Sequence, residues 1–226
     1  MPAATTRTIL FDLDGTLLDT APDLAAALNV VLQENRREPL PYERIRPVVS
    51  HGGMALIKLG FRIDSSDPAF SKLRQRLLDV YRENISRHTR PFPGISELLE
   101  AIEQRGLNWG IVTNKPAWLT EPLLKDLGLF DRAACVVSGD TLDERKPHPA
   151  PMLHASELAN SPPQQCVYIG DAERDIEAGN NAGMQTLVAL FGYLQEGDDP
   201  RNWNASSMIE QPHDLLAWLD KGPDST

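Results

Sequence analysis

Ile9-Leu10-Phe11-Asp12-Leu13-Asp14-Gly15-Thr16 is the stretch on which the interpretation of the whole chain depends. Its apolar start predicts a buried parallel strand, and two carboxylates follow with one residue between them. Burial of two acids at a strand end costs free energy unless a cation or hydrogen bonds compensate for it. An ordinary Asp-Gly turn after a strand is the alternative interpretation, since Gly15 suits a sharp turn. The stretch therefore predicts either a divalent-metal site with a carboxylate free to react, or a simple turn.

Length and composition limit the kind of protein that this chain can be. Its 226 residues suffice for one large domain, or for a core and a smaller lobe. We expect a cytoplasmic protein without a membrane partner, because no apolar run could span a bilayer and residues 1–8 lack a signal-peptide core. A net charge of −10 argues against nucleic acid as a partner. Cys135 and Cys166 lie in apolar runs, which favours buried, reduced thiols.

The charge is unevenly distributed along the chain. Residues 36–90 contain twelve Lys and Arg against six Asp and Glu, although the whole chain has a net charge of −10. Solvated surface helices explain such a segment, and so does a basic lobe that faces an anionic substrate. If the lobe faces a substrate, its basic side chains are candidates for binding a substrate carboxylate. Those considered are Arg44, Arg46, Lys58 and Arg62.

The first part of the chain has one strand and then only helical patterns. Thr20 as N-cap and Asp23 at the third helical position predict a helix start that is a variant of the capping box. Helical patterns without a convincing strand continue to about Arg90, and one of these helices begins near Pro68. Such an all-helical segment after a single strand predicts a separate lobe.

Helices and strands alternate regularly after the Pro-Phe-Pro-Gly turn at residues 91–94. Alternation of this kind is typical of a doubly wound parallel sheet. The sequence therefore predicts an α/β protein with a Rossmann-like core and an inserted α-helical cap. The core comprises residues 1–17 and 89–226, and the cap comprises residues 18–88.

Polar residues stand at or just beyond the predicted carboxyl ends of the strands, where open parallel sheets bind their ligands. A carboxylate in such a place can attack phosphorus and form an acyl phosphate, while a second acid exchanges protons with the leaving group and water. The approach of two anions requires positive charge, which favours Mg²⁺ on oxygen ligands and a lysine ammonium. Asp12 and Asp14 are the predicted pair of acids, and Asp171 is the predicted third carboxylate for the cation. The residues predicted to contact the phosphate are Thr113, Asn114 and Lys146.

Four of these segments resemble, in the same order, the four motifs of the haloacid dehalogenase superfamily. They are the Asp12–Thr16 element, Thr113-Asn114, Lys146-Pro147, and Gly170-Asp171 with Asp175. The resemblance extends from the first strand to about Leu190. It implies a Rossmann-like core with a helical cap between the first two motifs.

The same resemblance implies a role for each acidic residue. Asp12 would be the nucleophile and Asp14 the acid/base. Asp12, the backbone carbonyl of Asp14, and Asp171 would hold magnesium, and Asp175 would support the metal site from behind. The implied reaction is magnesium-dependent hydrolysis of a phosphomonoester through an aspartyl phosphate.

Within this superfamily the chain most resembles the phosphoglycolate phosphatase group. Residues 191–194 and 198–200 with Trp203 are more similar to the subgroup that hydrolyses N-acetylmuramic acid 6-phosphate in cell-wall (peptidoglycan) recycling. The implied partner is a small phosphorylated metabolite, with phosphoglycolate as the alternative substrate. In the cap, Gly52, Gly53 and His51 are candidates for substrate contact, although His51 is equally well an ordinary loop histidine.

Three other functions compete with a phosphatase. A phosphosugar mutase would return the phosphoryl group from Asp12 to its own substrate. A dehalogenase of this fold is disfavoured because it needs neither an acid/base at Asp14 nor a metal. A non-catalytic scaffold is disfavoured by the complete set of motifs. The sequence does not predict the oligomeric state.

Overall fold

Residues 6–221 are described by a computed structural model. The predicted core also includes residues 1–5 and 222–226, which lie outside the described residues. The strands are β1 Thr8–Phe11, β2 Leu18–Asp19, β3 Arg90–Pro91, β4 Asn108–Val112, β5 Val136–Val137, β6 Cys166–Gly170, β7 Gln185–Ala189 and β8 Ser207–Ile209. In this part of the chain one six-stranded sheet has the order β5-β4-β1-β6-β7-β8. Every neighbouring pair in it is parallel, which confirms the predicted α/β sheet.

The register of the three central strands determines where the ligand edge lies. Thr8 of β1 is opposite Asn108 of β4 on one side and opposite Cys166 of β6 on the other. Because the three strands run in step, their carboxyl ends lie side by side. The residues that follow them are therefore close together at one edge of the sheet.

Helices cover both faces of this sheet. The helices are α1 Ala21–Glu34, α2 Tyr42–Ile45, α3 Gly52–Phe61, α4 Phe70–Glu83, α5 Ile95–Gln104, α6 Ala117–Asp126, α7 Ala150–Leu158, α8 Glu173–Asn181 and α9 Asp214–Lys221. Side chains of β1 alternate between the faces. Ile9 and Phe11 pack in a cluster with α5 and α6, whereas Leu10 packs in a second cluster with α7 and α8. None of the helices in residues 6–221 is both long and apolar enough to cross a membrane.

The last strand of the sheet was not predicted from the sequence. β8 pairs in parallel with β7, with Val188 opposite Met208, and α9 then buries Leu215 against the core. β8 has only three residues, and Met208 is 41% exposed at the sheet edge. Such a short edge strand lacks the apolar run by which the longer strands are recognised.

The segment between β2 and β3 is helical, with α1 packed against α3 and α4. The helix predicted near Pro68 begins at Phe70. β2 and β3 form a two-residue antiparallel pair, in which Leu18 lies opposite Pro91. This pair joins the two ends of the helical segment, since β2 precedes the segment and β3 follows it. Strands of two residues are too short to show an alternating pattern in the sequence. The division of the chain into a core and a cap at residues 18–88 stays a prediction.

The predicted start of α1 is confirmed, but the predicted capping box is wrong. Thr20 is the N-cap residue, yet its side chain makes no capping hydrogen bond. Its Oγ1 donates instead to Asp14 Oδ1 at 2.6 Å. Asp23 accepts hydrogen bonds from the backbone N–H groups of His88 and Thr89 and from the Thr89 hydroxyl. Tertiary contacts therefore replace the local hydrogen bonds that this pattern predicts.

We expect Asp23→Ala to lower the free energy of unfolding by about 2–4 kcal/mol, because it leaves buried donors without an acceptor. Asp23 is 2% exposed and joins α1 to the chain segment that follows α4. Urea unfolding of the wild-type and Asp23→Ala proteins measures the difference in the free energy of unfolding. Asp64→Ala is the control, since Asp64 is exposed and its carboxylate accepts hydrogen bonds from Ser66 in the same loop. Equal stabilities of the Asp23→Ala and Asp64→Ala proteins would contradict the prediction.

The two cysteines are buried and free, as predicted. Burial raises the pKa of the Cys135 thiol to about 12, so this thiol stays protonated at neutral pH.

Candidate active site

The site begins at the carboxyl ends of the three central strands. Asp12 follows β1, Thr113 follows β4 and Asp171 follows β6. The chain turns at Leu13, so Asp14 reaches the same cavity as Asp12 through a turn rather than along an extended strand. Gly15 has φ +90°, and a Cβ there would overlap Oδ2 of Asp171. Glycine is therefore required for the close approach of the two chain segments.

Asp12, Asp171 and Asp175 form a buried acidic cluster. One carboxylate oxygen from each lies within 4.8 Å of the other two. Burial, and then the charges of Asp12 and Asp175, raise the pKa of Asp171 to about 7. Burial also raises the pKa of Asp12, against the lowering effect of Lys146. Three acids so close together are unfavourable without positive charge between them.

The donor set fits a divalent cation. Asp171 Oδ1 is buried and has no hydrogen-bond partner among the described residues. Asp171 Oδ2 accepts hydrogen bonds from Ser50 Oγ at 2.6 Å and from the Tyr193 N–H at 2.9 Å. Ser50 Oγ also lies 3.3 Å from the carbonyl oxygen of Asp14. The carbonyl oxygen of Asp14 is thus next to Asp171, where a hard cation would find carboxylate and carbonyl oxygens together.

Asp175 contributes to the cluster from a fixed position. Its Oδ1 lies 2.8 Å from Lys146 Nζ, and its Oδ2 accepts a hydrogen bond from the Ala172 N–H at the start of α8. Both oxygens are thus already in contact with the protein. The supporting part that the family resemblance implies for Asp175 stays a prediction.

Lys146 is the buried counter-charge of the cluster. Its ammonium lies 2.8 Å from Asp12 Oδ1 and donates to Tyr168 Oη and to the carbonyl of Val112. The side chain is 1% exposed, so the ion pair with Asp12 is shielded from solvent. Lys146 therefore holds positive charge directly against the oxygen atoms of Asp12.

Asp14 has a cationic partner that was not predicted from the sequence. Lys115 Nζ donates to Asp14 Oδ1 at 2.8 Å and lies 4.5 Å from the centre of the Tyr81 ring. Burial lowers the pKa of Lys115, but Asp14 and Tyr81 together outweigh it, so the net pKa is raised. Thr20 Oγ1 also donates to Oδ1 of Asp14, at 2.6 Å.

Thr113 and Asn114 differ in what they offer to a ligand. Thr113 Oγ1 accepts a hydrogen bond from the Lys115 N–H and keeps its proton for donation into the cavity. The Asn114 side chain donates to the carbonyl of Lys146 and accepts from its N–H. In this structure Asn114 therefore holds the Lys146 loop in place, and its predicted bond to phosphate stays a prediction.

A cavity of about 350 Å³ connects these residues to the inserted helices. His51, Gly52 and Gly53, predicted as cap contacts, all line it. Burial, and then Arg174, lower the pKa of His51, which favours the neutral imidazole. Arg174 also donates to the carbonyl of Ser50 at 2.6 Å, so it connects α8 to the inserted segment.

The basic residues of the cavity are not those proposed from the sequence. Arg44, Arg46, Lys58 and Arg62 are absent from its lining among the described residues. Arg46 instead stacks on the Tyr193 ring, 4.8 Å from its centre. The cations that line the cavity are Arg74, Lys115, Arg145 and Arg174. The spacing of Arg74, Leu78 and Tyr81 along one helix face is the signal that could have found the first of them.

Comparison with known proteins shows the family. Residues 9–189 match the model of the haloacid dehalogenase-like hydrolases, and the chain belongs to this family. A phosphoglycolate phosphatase of Xylella fastidiosa strain Temecula1 is 45% identical over 96% of this chain and 94% of its own. The N-acetylmuramic acid 6-phosphate phosphatase of Pseudomonas aeruginosa PAO1 is 40% identical over 95% of both chains.

A solved structure supports the same assignment. The crystal structure of a predicted phosphoglycolate phosphatase from Haemophilus somnus 129PT superposes with a TM-score of 0.84 at 25% identity. The match covers 95% of this chain and 98% of the other. The family and these relatives together make the chain a phosphoric monoester hydrolase, which confirms the predicted class of enzyme.

Proposed function

We propose that this enzyme hydrolyses phosphomonoesters through a phosphoryl group carried by Asp12, with Mg²⁺ as cofactor. One observation carries the proposal: Asp12, Asp14 and Thr113 line one cavity, and Asp12 also belongs to the buried acidic cluster and is paired with Lys146. Residues 18–88 would act as the cap over this cavity. Asp12, Asp171 and the carbonyl of Asp14 would hold the cation, which supplies positive charge between the nucleophile and the phosphate.

The chain's own residues account for the two chemical steps. Asp12 forms a bond to phosphorus as the ester bond breaks, and Asp14 donates a proton to the leaving oxygen. Asp14 then accepts a proton from water, whose oxygen attacks phosphorus and releases Asp12 and inorganic phosphate. Lys146 stabilises negative charge at Asp12, and the Thr113 hydroxyl donates to the phosphoryl oxygens.

We propose N-acetylmuramic acid 6-phosphate as the substrate, which would place the enzyme in peptidoglycan recycling in the cytoplasm. A cavity of about 350 Å³ has room for an amino-sugar leaving group and is larger than a two-carbon acid needs. The Pseudomonas relative carries the name of this activity. Phosphoglycolate is the second candidate, because the Xylella relative, which is 45% identical, is named for it.

Release of inorganic phosphate tests the proposal. We expect the purified enzyme with Mg²⁺ to release p-nitrophenol from p-nitrophenyl phosphate and to prefer N-acetylmuramic acid 6-phosphate over 2-phosphoglycolate by kcat/KM. A higher kcat/KM on 2-phosphoglycolate would support the second candidate. An isomerised sugar phosphate without free phosphate would show a mutase, and absence of turnover on all three compounds would contradict the proposed chemistry.

A further inference from the structure

The inserted helix α4 presents one basic side chain to the cavity. Arg74, Leu78 and Tyr81 are spaced i, i+4 and i+7, so they share one face of the helix, and all three line the cavity. Gly53 of α3 packs beside this face, with Leu78 and Arg74 as its neighbours. The Arg74 guanidinium is thus held at the wall that the inserted helices contribute.

Arg74 has a buried donor without an acceptor. Its Nε is buried and makes no hydrogen bond within residues 6–221. Two residues further along the same helix, Arg76 has its Nε and Nη2 bonded to the carboxylate of Glu34, at 3.0 and 2.6 Å. A buried guanidinium N–H without a partner is unfavourable, and an anionic ligand would compensate for it.

The two acidic side chains that line the cavity, Asp12 and Asp14, already have cationic partners other than Arg74. Lys146 pairs with Asp12, and Lys115 pairs with Asp14. Arg174 donates to the carbonyl of Ser50. Arg145, the other cation of the lining, is exposed on the loop before Lys146. Arg74 is therefore the cation of the inserted helices that these pairs leave available for a ligand.

The position of Arg74 indicates which end of a substrate it would meet. Asp12 and Thr113 follow strands of the sheet and would face the phosphoryl group, whereas Arg74 belongs to an inserted helix at another wall. Leu78, one turn further along the same helix, is apolar and buried, which strengthens a charged hydrogen bond there.

We propose that Arg74 binds a carboxylate of the leaving group and so selects phosphorylated acids as substrates. This inference rests on the proposed phosphatase function. A planar guanidinium pairs with a carboxylate through two parallel hydrogen bonds, which a hydroxyl group cannot match. Both N-acetylmuramic acid 6-phosphate and 2-phosphoglycolate carry such a carboxylate, although their leaving groups differ in size.

Matched substrate pairs test the inference. N-acetylmuramic acid 6-phosphate is compared with N-acetylglucosamine 6-phosphate, and 2-phosphoglycolate with 2-hydroxyethyl phosphate, since each pair differs chiefly by the carboxylate. We expect Arg74→Gln to lower kcat/KM about 10- to 100-fold more for the acid than for its partner, mainly through KM. Arg74→Lys keeps the charge and should restore part of this difference. Arg76→Gln removes a charge from the same helix outside the cavity and should leave the ratio unchanged.

The outcomes separate this inference from the function on which it rests. Equal losses on both members of each pair, or no loss on either, would overturn a role of Arg74 in carboxylate binding. A wild-type preference for the carboxylate-free members would overturn it as well. In each of these cases hydrolysis of p-nitrophenyl phosphate leaves the phosphatase function standing, whereas its absence would remove both proposals.

Discussion

Asp12→Asn is expected to abolish phosphate release, lowering kcat for p-nitrophenyl phosphate by at least about 10⁴-fold, because an amide is a far weaker nucleophile than a carboxylate. Lys146 and Asp171 remain in place around the substituted side chain. The phosphoryl group would then have no carboxylate at position 12 to accept it. Steady-state release of p-nitrophenol measures the loss. Wild-type enzyme stopped during turnover should carry acid-stable phosphate at Asp12, and the variant should carry none.

The same substitution should not unfold the protein. Burial raises the folded-state pKa of Asp12 above its usual value of 3.8, so the ionised group disfavours the fold at neutral pH. The stabilising contribution of this group is present at acid pH and is lost as the pH rises. In metal-free buffer at pH 7 we therefore expect the Tm of Asp12→Asn to equal or exceed that of wild type.

Asp220→Asn is the control for this substitution. Asp220 is distant from Asp12 in the sequence and forms an exposed ion pair with Arg105. Its kcat should equal that of wild type. Near-normal hydrolysis by folded Asp12→Asn enzyme would reject covalent catalysis at this position.

Removal of divalent metal should have the second largest effect. We expect EDTA to abolish activity and excess Mg²⁺ to restore it, because the acidic cluster repels an incoming phosphate until positive charge lies between them. Binding should also raise the Tm of the wild-type protein. At 100 times the dissociation constant the stabilisation is about 2.7 kcal/mol, or roughly 5–10 °C for a chain of this size.

Two neighbouring substitutions make the metal experiment specific. Asp171→Asn removes one charge from the cluster and should eliminate the Mg²⁺-dependent rise in Tm. Glu173→Gln removes one charge two residues away, where the side chain is exposed, and should leave the rise intact. Activity that persists in EDTA, or an equal rise in Tm in both variants, would contradict a metal site at Asp171.

The strands and the acidic residues at their ends were predictable because their signals are local. The apolar run before Asp12 and the one before Asp171 each indicate a buried strand, and parallel strands bring such ends to one edge. The structure places these two residues and Asp175 in one buried cluster. The sheet edge at β8 was missed, since a strand of three residues is formed by its pairing with β7 rather than by its own pattern.

Pairing between distant side chains was not predictable. Thr20 and Asp23 fit a capping box, but Asp23 bonds to residues 88 and 89, and Thr20 bonds to Asp14. Lys115 directly follows the Thr113-Asn114 motif and was given no role, and the fold places it on Asp14. Such choices depend on which donors and acceptors meet after folding, because a buried polar group bonds to whichever partner is near.

For this protein, sequence alone was enough to predict the parallel sheet, its inserted helices, and the acids and the lysine that meet at its edge. Each of these features depends on residue order over a few positions. Packing of α4 against its neighbours selected Arg74 for the cavity, while Arg44, Arg46, Lys58 and Arg62 stay out of its lining. A helix can be recognised from its own residues, but the face it turns toward a substrate depends on the free energy of packing every element around it.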